Sequence, residues 1–295
     1  MSVSATGAQR PETARSARIT SLIPSVPTMR SEPQLPLQTA YINDYAMTYT
    51  EHGQGTPLVL VHGSLCDCRY WKSQMGPLGR SFRVLAPSLR HYWPQEWDGG
   101  PFSVDQHVDD LLAFIETVGE GAAHVVGHSR GARVALEAAL REPRRVRTLT
   151  LADPGPLAPN PSADDRGGFR QRSLKLIDDG ELDAGLALFV DTVSGPDTWR
   201  RMVPWFQEMV RDNATTLRGQ ATEMLNSLSR EQIQKLAMPL LLIGGALSPA
   251  PYPAVLQTLS EWLPSAHKEV IVGSSHGMNL GNPRAFNSAI ENFLI

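Results

Sequence analysis

One short segment decides the fold of this chain: Gly127-His128-Ser129-Arg130-Gly131. It follows the apolar run 124–126 and leads into an alanine-rich stretch, 132–139, that has helical character. A strand, the pattern G-x-S-x-G and a helix in this order are typical of a nucleophile elbow. The turn is so tight that the residues two positions before and after the serine must be nearly free of side chain, which accounts for Gly127 and Gly131. The pattern therefore predicts that Ser129 is a nucleophile.

Length and composition are those of a globular domain with a substantial core. The chain has 295 residues, of which 41% are hydrophobic, a size that one α/β domain commonly has. A net charge of -3 argues against nucleic acid or an anionic membrane as a partner. No apolar run approaches the roughly 20 residues that span a bilayer, so a cytoplasmic protein is expected.

The two cysteines are expected to be free thiols. Cys66 and Cys68 form a C-x-C pair without the additional histidines or cysteines that a zinc site needs. We therefore expect no metal site and no disulfide framework.

Apolar strands alternate with helices along most of the chain. A hairpin is predicted to turn at Asn43-Asp44, and helices are predicted over about 103–118 and 283–294. Further strands are predicted at 57–61, 82–86, 124–126, 147–152, 239–243 and 269–272. Continuous apolar strands between helices indicate an α/β protein with a mostly parallel sheet that is covered on both faces.

Two segments depart from this alternation. Residues 1–35 are rich in Ser, Thr, Pro and Arg, weakly resemble a transit peptide, and are better explained as a disordered extension. Residues 155–236 have helical periodicity without a clear strand and are too long for a plain loop. The predicted organisation is a core of 36–154 and 237–295 with a helical cap or lid at 155–236.

A serine hydroxyl needs a general base and an oxyanion site in order to act as a nucleophile. His276 follows the last predicted strand and lies among small residues, which favours it as the base over a surface histidine. The N–H groups of Ser64 and Arg130 are the expected oxyanion donors, with Leu65 next in line. Ser64 follows the pair His62-Gly63 at the end of the strand 57–61.

Taken together, these motifs resemble the α/β-hydrolase superfamily. The resemblance rests on His62-Gly63, Trp71, the segment 127–131 and the loop 275–277, and it covers about residues 37–295. It implies an eight-stranded, mostly parallel sheet with a helical lid insertion. The resemblance also argues against epoxide hydrolase and haloalkane dehalogenase activity, because those relatives carry aspartate where this chain has Ser129. The turn 87–93 departs from the superfamily pattern.

The acid of the expected triad departs from the usual position. Most relatives place it after the strand corresponding to 239–243, where this chain has only Gly, Ala, Leu, Ser and Pro in 244–250. Some relatives, zearalenone-type lactonases among them, place it after the preceding core strand, the sixth, where Asp153 stands. An aspartate before proline is also a common turn residue. Because the usual position carries no acid, we favour a triad of Ser129, Asp153 and His276.

The function that follows is a cofactor-independent serine hydrolase that forms an acyl-enzyme. The expected substrate is a small apolar carboxylic ester or lactone, and the protein is expected to be a monomer or homodimer. A C–C hydrolase or perhydrolase on the same fold and a weakly hydrolytic ligand receptor remain alternatives. Arg90, Arg130 and Arg133 are weaker candidates for binding a substrate carboxylate, and a local acid is the expected partner of Arg133. The expected substrate pocket comprises Leu65, Trp199, Trp205, Phe206 and Met278, although the aromatic segment 199–209 could equally be a helix that packs on the core.

Overall fold

The computed structural model of the protein describes residues 1–2, 36–157, 168–223 and 225–295. Apart from its first two residues, the predicted N-terminal extension lies outside the described residues. The strands are β1 (Leu37–Ile42), β2 (Tyr45–His52), β3 (Pro57–Val61), β4 (Arg83–Pro87), β5 (Ala123–His128), β6 (Val146–Ala152), β7 (Leu240–Gly245) and β8 (His267–Ile271). Each predicted strand is present: β3 has the predicted bounds, and the ends of the other strands differ from the prediction by at most three residues.

The eight strands form one sheet in the order β1-β2-β4-β3-β5-β6-β7-β8. β1 pairs antiparallel with β2, and β2 pairs antiparallel with β4. All other neighbouring pairs are parallel. The β1–β2 hairpin turns at Asn43 and Asp44, with φ of 47° and 58°, the left-handed pair that a two-residue hairpin turn requires. The mostly parallel sheet of the α/β-hydrolase fold is therefore confirmed.

Twelve α-helices lie within the described part of the chain. The first three are α1 (Lys72–Leu78), α2 (Val104–Thr117) and α3 (Arg130–Arg141). Six lie between β6 and β7: α4 (Phe169–Asp178), α5 (Leu182–Ser194), α6 (Thr198–Arg201), α7 (Pro204–Asp212), α8 (Thr216–Thr222) and α9 (Arg230–Ile233). The last three are α10 (Tyr252–Trp262), α11 (Met278–Gly281) and α12 (Pro283–Leu294). α2 begins after Ser103, whose hydroxyl accepts a hydrogen bond from the Gln106 N–H, as its sequence predicts.

Alternate residues of β3 face opposite layers of the fold. Val59 and Val61 pack with buried side chains of α2 and α3. Leu58 and Leu60 pack with those of α1 and α12 on the other face. Side chains of a strand alternate between the faces of its sheet, so a strand covered on both sides has to be apolar throughout. β3 accordingly carries Pro-Leu-Val-Leu-Val, and all five residues are buried.

The helices between β6 and β7 have a hydrophobic core of their own. Leu186, Phe189 and Val190 lie at helical spacing on α5 and pack with Trp199 of α6, Val210 of α7 and Leu217 of α8. Leu65, which follows β3, joins the same cluster. The predicted helical insertion at 155–236 is therefore represented by α4–α9, while residues 158–167 and 224 lie outside the described part.

The elbow glycines give the first testable prediction. A Cβ at Gly131 would lie 2.3 Å from the carbonyl oxygens of Val61 and His62, so Gly131→Ala must displace β3 or α3. We expect it to lower the free energy of unfolding by at least about 2 kcal/mol, measured by urea denaturation.

Gly76→Ala is the matched control for this substitution. Gly76 lies inside α1, and a Cβ there would meet nothing within 4 Å. Alanine is the better helix former, so this variant should be neutral or more stable by up to about 1 kcal/mol. Equal free energies of unfolding for the two variants would contradict the packing argument.

Candidate active site

Ser129 lies at the sharp turn between β5 and α3. Its backbone has φ 54° and ψ -118°, a strained conformation for a residue with a side chain. A Cβ at Gly127 would lie 2.4 Å from the carbonyl oxygen of Gly131, which is the close approach that the sequence motif predicts. The Ser129 N–H donates to the carbonyl oxygen of Ala152 at 3.0 Å, so the turn is also tied to the end of β6.

Asp153 and His276 meet beside this turn. The two atoms His276 Nδ1 and Asp153 Oδ2 are 3.2 Å apart, and both side chains are buried. Asp153 directly follows β6, and its N–H donates to the carbonyl oxygen of Ile243 in β7 at 2.9 Å. Because a carboxylate can only accept, Nδ1 carries the proton in this pair and Nε2 is left with a lone pair.

Ser129 and His276 line one cavity of about 670 Å³. Its wall combines the loop after β3, the loop after β8 and helices of the insertion. Of the expected pocket residues, Leu65, Trp205 and Phe206 line it. Among the described residues no hydrogen bond joins Ser129 Oγ to His276; in many free enzymes this contact is long and shortens only with substrate bound.

Trp199 and Met278 differ from the sequence expectation, because neither belongs to the cavity wall. Trp199 is 9% exposed and packs in the core of the insertion, with the Arg211 guanidinium 5.2 Å from its ring centroid. Met278 is fully buried in the cluster between the sheet, α1 and α12. Both are apolar, as the sequence shows, but a side chain buried behind the cavity wall has the same local sequence pattern as one that lines it.

Comparison with known proteins agrees with this geometry. Residues 58–289 match the Alpha/beta hydrolase family. The chain belongs to this family. It is 26% identical to a protein of Azorhizobium caulinodans named for carbamate hydrolysis, RutD, over 86% of this chain and 97% of that one. A 2-(acetamidomethylene)succinate hydrolase of Mesorhizobium japonicum is 24% identical over 86% of this chain and 93% of its own.

Solved structures give the same picture of the fold. The enol-lactonase from Burkholderia xenovorans LB400 superimposes with a TM-score of 0.72 at 21% identity, covering 87% of this chain and 99% of that one. The family and these relatives support a hydrolytic enzyme. No helix in the described ranges has the length and apolar character needed to cross a membrane.

The loop after β3 lies directly against Ser129. A Cβ at Gly63 would lie 3.0 Å from the Ser129 Cβ, so only glycine fits without displacement. Ser64 and Leu65 follow it and both line the cavity. Arg130 is the first residue of α3, and the N–H groups of a first helical turn lack partners within the helix. Both predicted oxyanion donors are thus next to Ser129 in the chain or in space.

The three arginines considered for substrate binding are each engaged by the protein. Arg130 makes a bidentate ion pair with Glu223, and its Nη2 also lies 3.0 Å from His107 Nδ1. Arg133 pairs with Glu137 one turn along α3, as expected of a local acid.

Arg90 likewise pairs with a buried acid. Its Nε lies 2.7 Å from Asp110 Oδ2. Such charge-assisted pairs hold the guanidinium groups in place, so these three side chains serve the fold.

Three side chains to which the sequence analysis assigns no role in the site surround the Asp153–His276 pair. Ser248 Oγ donates to Asp153 Oδ2 at 2.5 Å. The Tyr252 ring stacks on the His276 ring, with centroids 3.9 Å apart at 14°. His128 Nε2 donates to the carbonyl oxygen of His276 at 2.7 Å. These contacts join residues 24 or more positions apart in the chain, and a local pattern does not reveal them.

Burial favours the neutral form of three histidines near the site. Burial lowers the pKa of His62 to about 4, and it lowers the pKa values of His107 and His128 well below the ordinary value. His62 Nε2 accepts from the Leu89 N–H at 3.0 Å, while Nδ1 donates to the Gly63 carbonyl oxygen at 2.9 Å. A second proton on this ring would break the bond to Leu89.

His62 gives a prediction about stability and pH. The folded pKa of about 4 lies below the unfolded value of about 6.5, so below pH 6.5 the unfolded chain binds more protons. The free energy of unfolding should therefore fall as pH drops from 6.5 towards 4, with His62 contributing at most about 3 kcal/mol. His62→Gln should remove the contribution of His62 to this dependence of the free energy of unfolding on pH.

The measurement is urea denaturation of both proteins from pH 8.5 to 4.5. Between pH 7.5 and 8.5 the imidazole is neutral in both states, so the two curves should run parallel there. If the difference in the free energy of unfolding between variant and wild type is the same at pH 5 and pH 8, the assignment to His62 is refuted.

Proposed function

We propose that the protein is a serine hydrolase that cleaves a carboxylic ester or lactone through an acyl-enzyme intermediate. The proposal depends above all on one arrangement: the His276–Asp153 hydrogen bond at the edge of a cavity that Ser129 also lines. The match to the Alpha/beta hydrolase family, and the enol-lactonase that shares the fold, support this reaction class.

His276 acts as the general base in this mechanism. Its Nε2 takes the proton of Ser129 Oγ while the oxygen attacks the substrate carbonyl carbon. Asp153 holds the ring in the tautomer that leaves Nε2 free and stabilises the imidazolium that forms. The same imidazolium then protonates the leaving alkoxide. Water attacks the acyl-enzyme with His276 again as the base, which releases the acid and restores Ser129.

The oxyanion forms on the side of the backbone N–H groups of Ser64 and Arg130. Such donors act on charge that develops only in the tetrahedral intermediate, so they lower the barrier instead of tightening ground-state binding. The hydrogen bond from the Leu89 N–H to His62 Nε2 holds the loop that carries Ser64 against the sheet. No part of this scheme requires a redox or group-transfer cofactor.

The insertion acts as a lid in the same proposal. Phe206 and Trp205 of α7 stack with ring centroids 5.4 Å apart, and both line the cavity. Apolar aromatic walls bury the non-reacting part of a small substrate and exclude water from the acyl-enzyme.

The nucleophile is tested by substitution and labelling. Ser129→Ala should keep the fold and reduce the turnover of short p-nitrophenyl esters at least about 10³-fold. A fluorophosphonate should label the wild type once, at Ser129, and leave the variant unlabelled, as measured by intact-protein mass spectrometry.

Ser73→Ala is the control for this experiment. Ser73 also lines the cavity, and its replacement should leave labelling and turnover in place. Labelling of the Ser129 variant would disprove the assignment. A wild type that takes the label but releases product in a single burst would indicate a receptor instead of an enzyme.

The acid is tested by Asp153→Asn. The amide removes the negative charge and favours the wrong imidazole tautomer, so kcat should fall by about 10³- to 10⁴-fold while circular dichroism is unchanged.

Ser248→Ala is matched to it, because the hydroxyl contacts the same oxygen, Asp153 Oδ2, but carries no charge. We expect it to lower kcat by no more than about tenfold. Wild-type turnover in Asp153→Asn would mean that the acid lies elsewhere.

A further inference from the structure

Ser64, one of the two expected oxyanion donors, lies in a loop with a strained backbone. A Cβ at Gly63, before it, would lie 3.0 Å from the Ser129 Cβ, and Leu65, after it, has φ 59°. A positive φ is unfavourable for a residue with a side chain, and it persists only where the surrounding structure maintains it. The direction of the Ser64 N–H therefore depends on contacts that hold this loop from outside.

Side chains of the insertion and its core hold this loop at three positions. Ser64 Oγ donates to Gln220 Oε1 of α8 at 2.7 Å. Leu65 packs in the hydrophobic core of the insertion. Asp67, which is fully buried, accepts a hydrogen bond from Asn213 Nδ2 at 2.7 Å. The loop that carries the expected donor is thus held by the insertion as well as by the sheet.

Gln220 connects both expected donor residues. Its Oε1 accepts from Ser64, and its Nε2 donates to the Tyr92 hydroxyl at 3.3 Å. Tyr92 is fully buried, its ring lies edge-on to His62 with centroids 4.7 Å apart, and it also makes a side-chain hydrogen bond with Arg130. A glutamine can make both contacts at once because its amide carries an acceptor and a donor.

The N–H of Ser64 is available to a ligand, although the side chain is not. Within the described ranges this N–H makes no hydrogen bond, whereas the hydroxyl is bound to Gln220. A free donor beside the nucleophile can meet the negative charge that develops there during attack. The hydroxyl and the N–H belong to one residue, so a fixed hydroxyl limits the backbone rotation that would turn the N–H away.

We propose that Gln220 is a positioning residue for the oxyanion site. By holding the Ser64 hydroxyl, it keeps the Ser64 N–H directed at the oxygen on which negative charge develops. Gln220 does not line the cavity, so it acts through Ser64 and does not touch the substrate. The inference deepens the proposed function and rests on it, and it gives the insertion a role besides that of the lid proposed above.

Two substitutions break the same hydrogen bond from opposite ends. Gln220→Met and Ser64→Ala both retain the Ser64 N–H, and each should lower kcat for a short p-nitrophenyl ester about 3- to 10-fold, the range of one net hydrogen bond. KM should stay within about twofold, because the contact acts on charge that is present only in the tetrahedral intermediate. The double variant should be no slower than the slower single variant, since both changes remove one interaction.

A pair of ketones separates binding of the oxyanion from binding of the ground state. Butyl trifluoromethyl ketone adds to Ser129: the Oγ–C bond forms, the hydroxyl proton passes to His276 and the ketone oxygen becomes the oxyanion. Butyl methyl ketone has the same chain but is too weakly electrophilic to form a stable adduct. In Gln220→Met the inhibition constant of the fluorinated ketone should rise by the factor by which kcat/KM falls, and that of the methyl ketone should stay within about twofold.

Gln207→Met is the matched control. Gln207 lies on α7 of the same insertion, is partly buried like Gln220, and donates to the Trp199 carbonyl oxygen at 2.8 Å. Its contact stays within the insertion, so this variant should keep kcat and the inhibition constant of the fluorinated ketone within about twofold. An equal loss of kcat in Gln207→Met would assign the effect to general loosening of the insertion and overturn the role of Gln220.

Failure of the inference and failure of the proposed function give different results. Unchanged kcat in Gln220→Met, or a loss in Ser64→Ala alone, would overturn the inference and leave the hydrolase in place. If the wild type hydrolyses no ester, the proposed reaction fails, and the rate constant of fluorophosphonate labelling at Ser129 then tests Gln220. Labelling that is slower in Gln220→Met but not in Gln207→Met would support the positioning role. Equal labelling of the three proteins, or no labelling of the wild type, would overturn it.

Discussion

The structure depends on the close packing of backbone at the elbow. Val61 and His62, at the end of β3, lie against the Cα of Gly131 so closely that a Cβ there has no room. This contact fixes the distance between β3 and α3, and with it the position of the loop 63–65 beside Ser129. The strained φ and ψ of Ser129 are maintained because its N–H, its neighbours and the adjacent strand β6 are held from several sides. The site is a consequence of this packing.

The sequence predicted those features that short segments encode. Apolar runs of three to six residues located the core strands, because a strand covered on both faces is apolar throughout. The dipeptide Asn43-Asp44 located the hairpin, and Ser103 with Gln106 located the start of α2. The G-x-S-x-G spacing located the elbow, because Gly127 is required by a clash with Gly131 four residues along; the clash that requires Gly131 itself is with Val61 and His62, which are distant in the chain.

Other features depend on contacts between distant segments, and local patterns did not encode them. Ser248 was seen only as the absence of an acid after β7, whereas in the structure its hydroxyl contacts Asp153. Gly245 has a related role, since a Cβ there would lie 2.5 Å from the Ser275 carbonyl oxygen in the loop of His276. Trp199 and Trp205 are the same residue type in one short aromatic segment, yet only Trp205 lines the cavity. The orientation of the short helices that carry them is set by tertiary packing.

The helix α8 and the residue that follows its last turn are bound to the core by buried polar contacts. Gln220 accepts a hydrogen bond from Ser64 Oγ at 2.7 Å, and Glu223 pairs with Arg130. Separating a buried pair leaves a charge without its partner, which costs about 3 to 5 kcal/mol. A cost of 3 kcal/mol corresponds to an open population below about one per cent. By contrast, the ion pair between Arg200 of α6 and Asp197 is exposed, and such pairs contribute little to stability. In the lid proposed above, α8 is therefore the fixed side, and α6 is the side whose opening breaks fewer buried contacts.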